Sequence, residues 1–236
     1  MNKLVIDNVD ELGDLIITED TSLLINLKDE SSFVHIDVMD DMCLYVLEFG
    51  SNTKNKIEYN LRRNSKVIIN KISYNTSDNI TINLNDTDAN IVYNSSIIND
   101  VTNSYYQRIN HNASNTFSKI TNHAINLKDN SFTFDVDAKV FNNSNDCNTT
   151  QDNKIINIGG GKCEIKPNLL VDNNLIVANH SAYIGGFDPN IIFYLQTRGI
   201  NETNIKELLT SGFLIGKMDI TKEEIEKIDA FIKNYI

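Results

Sequence analysis

The chain is short of most features that place a sequence quickly. It has no stretch approaching the ~18–20 uncharged apolar residues that a membrane-spanning helix needs. Its start, Met1-Asn2-Lys3-Leu4-Val5-Ile6-Asp7, meets an acid too soon for the apolar segment of a secretory signal. The expectation is a cytoplasmic protein with no membrane partner. Basic residues are outnumbered, 21 Lys+Arg against 32 Asp+Glu for a formal net charge of −11, which argues against nucleic acid because phosphate backbones need a basic face. Cysteine is sparse: Cys43, Cys147 and Cys163 are odd in number and lack Cys-x-x-Cys spacing, so they form neither a disulfide framework nor a zinc ribbon. There is no Trp, and only 2 Pro and 10 Gly stand in 236 residues.

Against these shortages stand 36 Asn. Asn favours turns because its side chain bonds to nearby backbone and tolerates left-handed conformation. Two readings stay open on composition alone: a turn-rich β protein whose corners are built from Asn, or a genome biased towards Asn, Ile and Lys codons. Asn-x-Ser/Thr triplets such as Asn75-Thr76-Ser77, Asn94-Ser95-Ser96 and Asn112-Ala113-Ser114 are chance events in such a chain. Ile, Leu, Val, Phe and Tyr recur throughout, which argues against disorder.

From about residue 33 to residue 186 short alternating segments are separated by polar turns. Val34-His35-Ile36-Asp37-Val38, Lys56-Ile57-Glu58-Tyr59-Asn60-Leu61, Asn79-Ile80-Thr81-Ile82-Asn83-Leu84, Asn90-Ile91-Val92-Tyr93 and Phe132-Thr133-Phe134-Asp135-Val136 carry the period-2 pattern of half-buried strands. They recur every ~10–15 residues with no helical pattern between, which suits a sandwich, a barrel or a stacked solenoid. A hairpin-rich antiparallel fold would use Asn-Gly or Asp-Gly turns, and none occurs. The mainly β solenoid is therefore preferred, although no rigid repeat is visible.

The character changes at Asp188. Asp188-Pro189 is an N-cap with proline in the first turn. Ile191, Ile192, Tyr194 and Leu195 follow as a helical stripe, and Gly199 is placed to end it. A second helix is predicted from Asn201, through Ile205, Leu208 and Leu209, to a stop at Gly212. Thr221-Lys222-Glu223-Glu224 is a capping box, and Ile225, Ile228, Ile232 and Tyr235 continue on one face. The expected domains are a β body over 1–187 and a helical tail over 188–236.

Few residues advertise chemistry. Gly159-Gly160-Gly161-Lys162 lacks the spacing and the Ser/Thr of a phosphate loop, so it reads as a flexible turn. Asp37, Asp40, Asp41 and Asp172 are cation candidates, but solvated surface carboxylates are the simpler account. Cys147 and Cys163 offer thiolates suited to iron, or are buried structural residues. His180, at the end of the β body, is a ligand candidate or a packed histidine.

The stretch Lys166-Pro167-Asn168-Leu169-Leu170-Val171-Asp172, then Val177-Ala178-Asn179-His180-Ser181-Ala182-Tyr183-Ile184-Gly185-Gly186-Phe187-Asp188, leads into Ile192-Phe193-Tyr194-Leu195-Gln196-Thr197-Arg198-Gly199-Ile200. It resembles the C-terminal core of the SufB/SufD family of iron–sulfur cluster assembly proteins, whose pattern runs through a Ser-His-x-Ala segment, Ile-Gly-x-x-Asp and Phe-Tyr-Leu-x-Ser-Arg-Gly-Ile. Leu208-Leu209 before Gly212-Phe213 continues the match; Gln151 and the His111–Ser114 segment fit more loosely. The specific part covers roughly 151–213.

The resemblance implies a right-handed parallel β-helix with a helical tail, a scaffold and not an enzyme. It implies pairing through the β-helix with a SufB-like partner or with itself, and a SufC-type ABC ATPase docked on the tail. A transient iron–sulfur cluster would form at the dimer interface, and this chain would bind no nucleotide. His180 is the one site residue carried over, matching a SufD histidine implicated in cluster assembly with a SufB cysteine. Tyr194, Arg198 and Gly199 match the motif but are expected to pack and end the first tail helix. The chain reads short beside full-length family members, and the expectation is that it lacks their N-terminal helical region. Ala178 stands where some relatives carry Cys, and His180-Ser181-Ala182 is closer to SufD than to the His-Glu-Ala of SufB. Two rivals remain: a carbohydrate-active β-solenoid, which would want paired carboxylates and an export signal, and a purely structural solenoid.

Overall fold

The structure, a computed structural model, describes residues 1–7, 13–29, 31 and 33–236. Among these, fifteen strands precede three helices. The strands are β1 (Asn2–Ile6), β2 (Leu15–Ile17), β3 (Thr21–Lys28), β4 (Phe33–Val38), β5 (Cys43–Ser51), β6 (Lys56–Leu61), β7 (Lys66–Tyr74), β8 (Asn79–Leu84), β9 (Asn90–Asn99), β10 (Asn103–His111), β11 (Phe117–Asn126), β12 (Phe132–Val140), β13 (Cys147–Asn157), β14 (Cys163–Val171) and β15 (Ile176–Gly185). Odd strands form one eight-stranded sheet and even strands a seven-stranded sheet, each in chain order. Every pairing is parallel. The chain thus winds as a parallel β-solenoid, eight strands deep in one sheet and seven in the other, with a hydrophobic core between the two sheets.

β structure starts well before residue 33. Thr21–Lys28 alternates buried Leu23, Ile25 and Leu27 with half-exposed neighbours, the same period-2 logic as the later strands. All eight non-glycine residues of positive φ among those described are Asn or Asp, including Asn52, Asn64, Asn75 and Asn115. They sit at the corners, where left-handed backbone is needed and a short polar side chain bonds locally. Asn52 donates to Asp29 (2.7 Å) and Asn64 to Asp41 (2.9 Å), one coil to the next. Asn and Asp therefore share the left-handed corners equally. The acidic candidates serve the same end: Asp40 accepts from Arg63 (2.9 Å) and Asp41 holds a corner.

The Gly159–Gly161 run is a tight corner and not a loose one. A Cβ on Gly159 would overlap the Lys128 backbone, and one on Gly161 the Asn130 backbone, so glycine permits the corners to stack.

The tail comprises α1 (Pro189–Thr197), α2 (Glu202–Ile215) and α3 (Lys222–Lys233). Asp188 caps α1, Gly199 follows it at φ +82°, and the Thr221–Glu224 capping box opens α3, all as the sequence predicts. α2 runs past Gly212 to Ile215. Interior glycine costs a helix about 1 kcal/mol, and burial of Leu214 against the solenoid outweighs it. There Leu214, Ile228 and Ile232 join Leu47, Ile72, Ile98, Ile125 and Ile156, on the outer face of the odd-numbered sheet, as a second core.

Candidate functional site

The last coil is the place to look, because it carries His180 and nothing among the described residues stacks on it; β1 and β2 leave the corresponding edges at the other end. β14 and β15 end their two sheets, so each leaves one edge of backbone groups unpaired. Pro167 lies mid-way along β14, a position proline tolerates on an edge strand. His180 pairs in register with Gln151 of β13. Gln151 is 3% exposed and donates through Nε2 to Asn168 O of β14, across the interior (3.3 Å). Strand faces repeat every two residues, so His180 lies on the interior face of the final coil, with Ala178 and Ala182 on either side. Having no further coil above it, it is exposed. His180 is the one titratable residue on that face of β15; Ile176 and Ile184 occupy its ends.

The cysteines lie elsewhere, and all three are free. Cys163 is on the interior face of the same coil, but five residues from Asn168 along β14, about 16 Å at ~3.3 Å per residue. Burial pushes its thiol up, away from the reactive thiolate. Cys147 is buried four residues from Gln151, where its Sγ meets Thr116 Oγ1 at 3.1 Å and the Ala113 carbonyl at 3.3 Å. Cys43 belongs to β5, five strands down the stack, roughly 24 Å away at ~4.8 Å per strand. The structure does not bring any cysteine to His180. Among the described residues no three of His, Cys, Asp and Glu cluster as a metal site, so Asp37, Asp172 and the other acidic candidates form none.

On the outer face of the same strands lies a polar group that sequence reasoning missed. Ser181 donates to Asp152 Oδ1 (2.7 Å) and Lys154 to Asp152 Oδ2 (3.0 Å). Burial alone would raise the Asp152 carboxyl, but Ser181, Lys154 and His123 outweigh it and hold it below the usual range. His123 of β11 is 4% exposed, stacked on Phe213 of α2 at 4.5 Å between ring centroids.

A model of the SUF-system FeS cluster assembly SufBD core domain matches residues 20–213. The chain belongs to the SufB/SufD family. The match runs from the residue before β3 into α2, so it takes in the solenoid from β3 onwards, the open end and His180, and leaves β1, β2 and α3 outside. Curated SufB/SufD relatives align over shorter stretches. The iron–sulfur cluster assembly protein SufD of Bacillus subtilis is 29% identical over 77 residues, 32% of this chain and 18% of that protein. A SufBD family protein of Mycobacterium leprae is 40% identical over 55 residues, 23% of this chain and 14% of its own length. The alignments thus span under a fifth of these two relatives. No helix among the described residues is long and apolar enough to cross a membrane.

Proposed function

We propose that this chain is a non-catalytic scaffold component of a cytoplasmic SUF-type iron–sulfur cluster assembly complex. It pairs through the open end of its β-helix with a SufB-like chain or a second copy, and docks a SufC-type ABC ATPase on its tail. The observation that carries this reading is the last coil of a SufB/SufD core: two strands of 9 and 10 residues, each with one unpaired edge, the second carrying His180. Exposed Leu170, Val177, Tyr183 and Ile184 border it. Long exposed edges with apolar borders are unstable against pairing, so a protein that keeps them has a partner for them.

His180 alone is one donor for an iron–sulfur cargo, and the cysteines of this chain are too far away to complete a ligand set. The remaining donors, thiolates above all, come from across the pairing interface. The tail offers a separate apolar surface, with Ile191, Phe193, Tyr194 and Leu208 exposed on α1 and α2. ATP binding by the partner would favour one arrangement of two tails over another, and only that differential affinity can shift the paired solenoids.

The test is anaerobic reconstitution with the partner chain and ATPase, followed by iron, sulfide and visible absorption. His180→Ala should abolish cluster formation while leaving the complex assembled, and deletion of 188–236 should remove ATPase binding. Normal cluster formation with His180→Ala refutes the site, and unchanged ATPase capture refutes the docking role of the tail.

A further inference from the structure

Two consecutive carbonyls at the C-terminal end of α2 are held by two register partners of the solenoid. Ser96 of β9 donates to Leu214 O (2.6 Å), and His123 of β11 donates through Nδ1 to Phe213 O (2.8 Å). Ser96 and His123 pair in register. The last carbonyls of a helix have no intrahelical donor, so these two bonds fix where α2 ends on the sheet. The next step leads outwards: His123 Nε2 makes no hydrogen bond and faces Asp152 Oδ2 at 3.9 Å. Asp152 is in turn bonded to Ser181 of β15, the residue after His180.

We propose that His123 is a positioning residue that transmits the placement of the tail helix α2 to the edge strand carrying His180. The chain of contacts is Leu214 and Phe213, then His123, then Asp152, then Ser181. Its use in cluster assembly rests on the scaffold reading above, in which tail movement and the His180 edge belong to one cycle. The ring has two distinct arms for the task. Nδ1–H caps the helix, which leaves Nε2 of the neutral ring as a buried lone pair facing the Asp152 carboxylate with no hydrogen bond between them. When α2 shifts, the ring that stacks on Phe213 shifts with it, and the distance to Asp152 changes. Lys154 on β13 and Lys217 after α2 also bear on this ring; they set the local field without bonding to it.

The test needs neither iron nor a partner: amide hydrogen exchange of β15 in the isolated full chain. Ser96→Ala releases one α2 carbonyl three strands from β15 and touches no residue of β13 or β15. With His123 present, it should speed exchange at the Ser181–Tyr183 amides by about threefold or more. In a His123→Asn background, where the amide replaces the Nδ1 arm and the Nε2 arm is gone, Ser96→Ala should leave β15 unchanged while still loosening α2. Unchanged β15 exchange in Ser96→Ala alone, or an equal response in both backgrounds, overturns the proposal. Cluster formation with His180→Ala is scored separately, so failure of the scaffold reading and failure of this coupling give different results.

Discussion

His111 lies on β10 inside the solenoid, with Nδ1 at 2.7 Å from Thr116 Oγ1 and Nε2 at 2.9 Å from Ser118 Oγ. Burial lowers its pKa from 6.5 to about 4. The folded chain keeps the ring neutral where the unfolded chain takes up a proton. The stabilisation is therefore complete above pH 6.5 and is lost as pH falls towards 4, about 3 kcal/mol at most. Urea melts across that window should show the decline in the wild type and a shallower slope in His111→Gln. His123, also lowered by burial, keeps part of the slope in the variant. None of this was legible in the sequence, where His111 stands out only within the segment His111–Ser114 that loosely fits the family. The same holds for Lys71, fully buried between Glu48 and Asp78. Burial alone would push its ammonium down, but the two carboxylates hold it well above its ordinary value. A lysine in a strand pattern is read as solvent-facing because unpaired it cannot be buried; its partners, 23 residues earlier and seven later, are brought together only by the winding.

Elements whose causes are local were readable: the caps at Asp188 and Thr221, the Gly199 stop, and alternating strands such as Asn79–Leu84. The end of α2 was not, because what extends it is contact with strands 90 and 118 residues earlier in the chain. Beyond its chain neighbours and its own helix backbone, nothing lies within 4 Å of where a Cβ on Gly212 would stand. Gly212→Ala should therefore stabilise the chain by about 1 kcal/mol through the helix propensity of Ala over Gly, read as a raised urea midpoint. A destabilised variant would mean that α2 does not run through this position. Gly159 and Gly161 are the contrast, since there a Cβ meets backbone of the preceding corner.

At the scale of the whole molecule, the coil was legible as a class but not as a repeat. Register partners Cys43–Lys66, Lys66–Asn90, Asn90–Phe117, Phe117–Asn148 and Cys147–Ile176 give coils of 23, 24, 27, 31 and 29 residues. A drifting period leaves no self-similarity to detect. The outer face under the tail hid as well: Ile97-Ile98 and Ile155-Ile156 break alternation because both faces of those strands are covered. The open end was flagged by family resemblance at His180, and winding supplies the rest, since only the stack shows which strands are last. Ala178 and Ala182 flank His180 on the face a partner would cover. Ala178→Lys with Ala182→Lys places two charges there without entering the folded core. Sedimentation of the wild-type chain, alone and with a SufB-like partner, should show the proposed dimer in one of the two. The double variant should stay monomeric while its unfolding free energy moves by less than about 1 kcal/mol. A double variant that still dimerises moves pairing away from the last coil and removes the ground for the proposal that a second chain supplies thiolates beside His180.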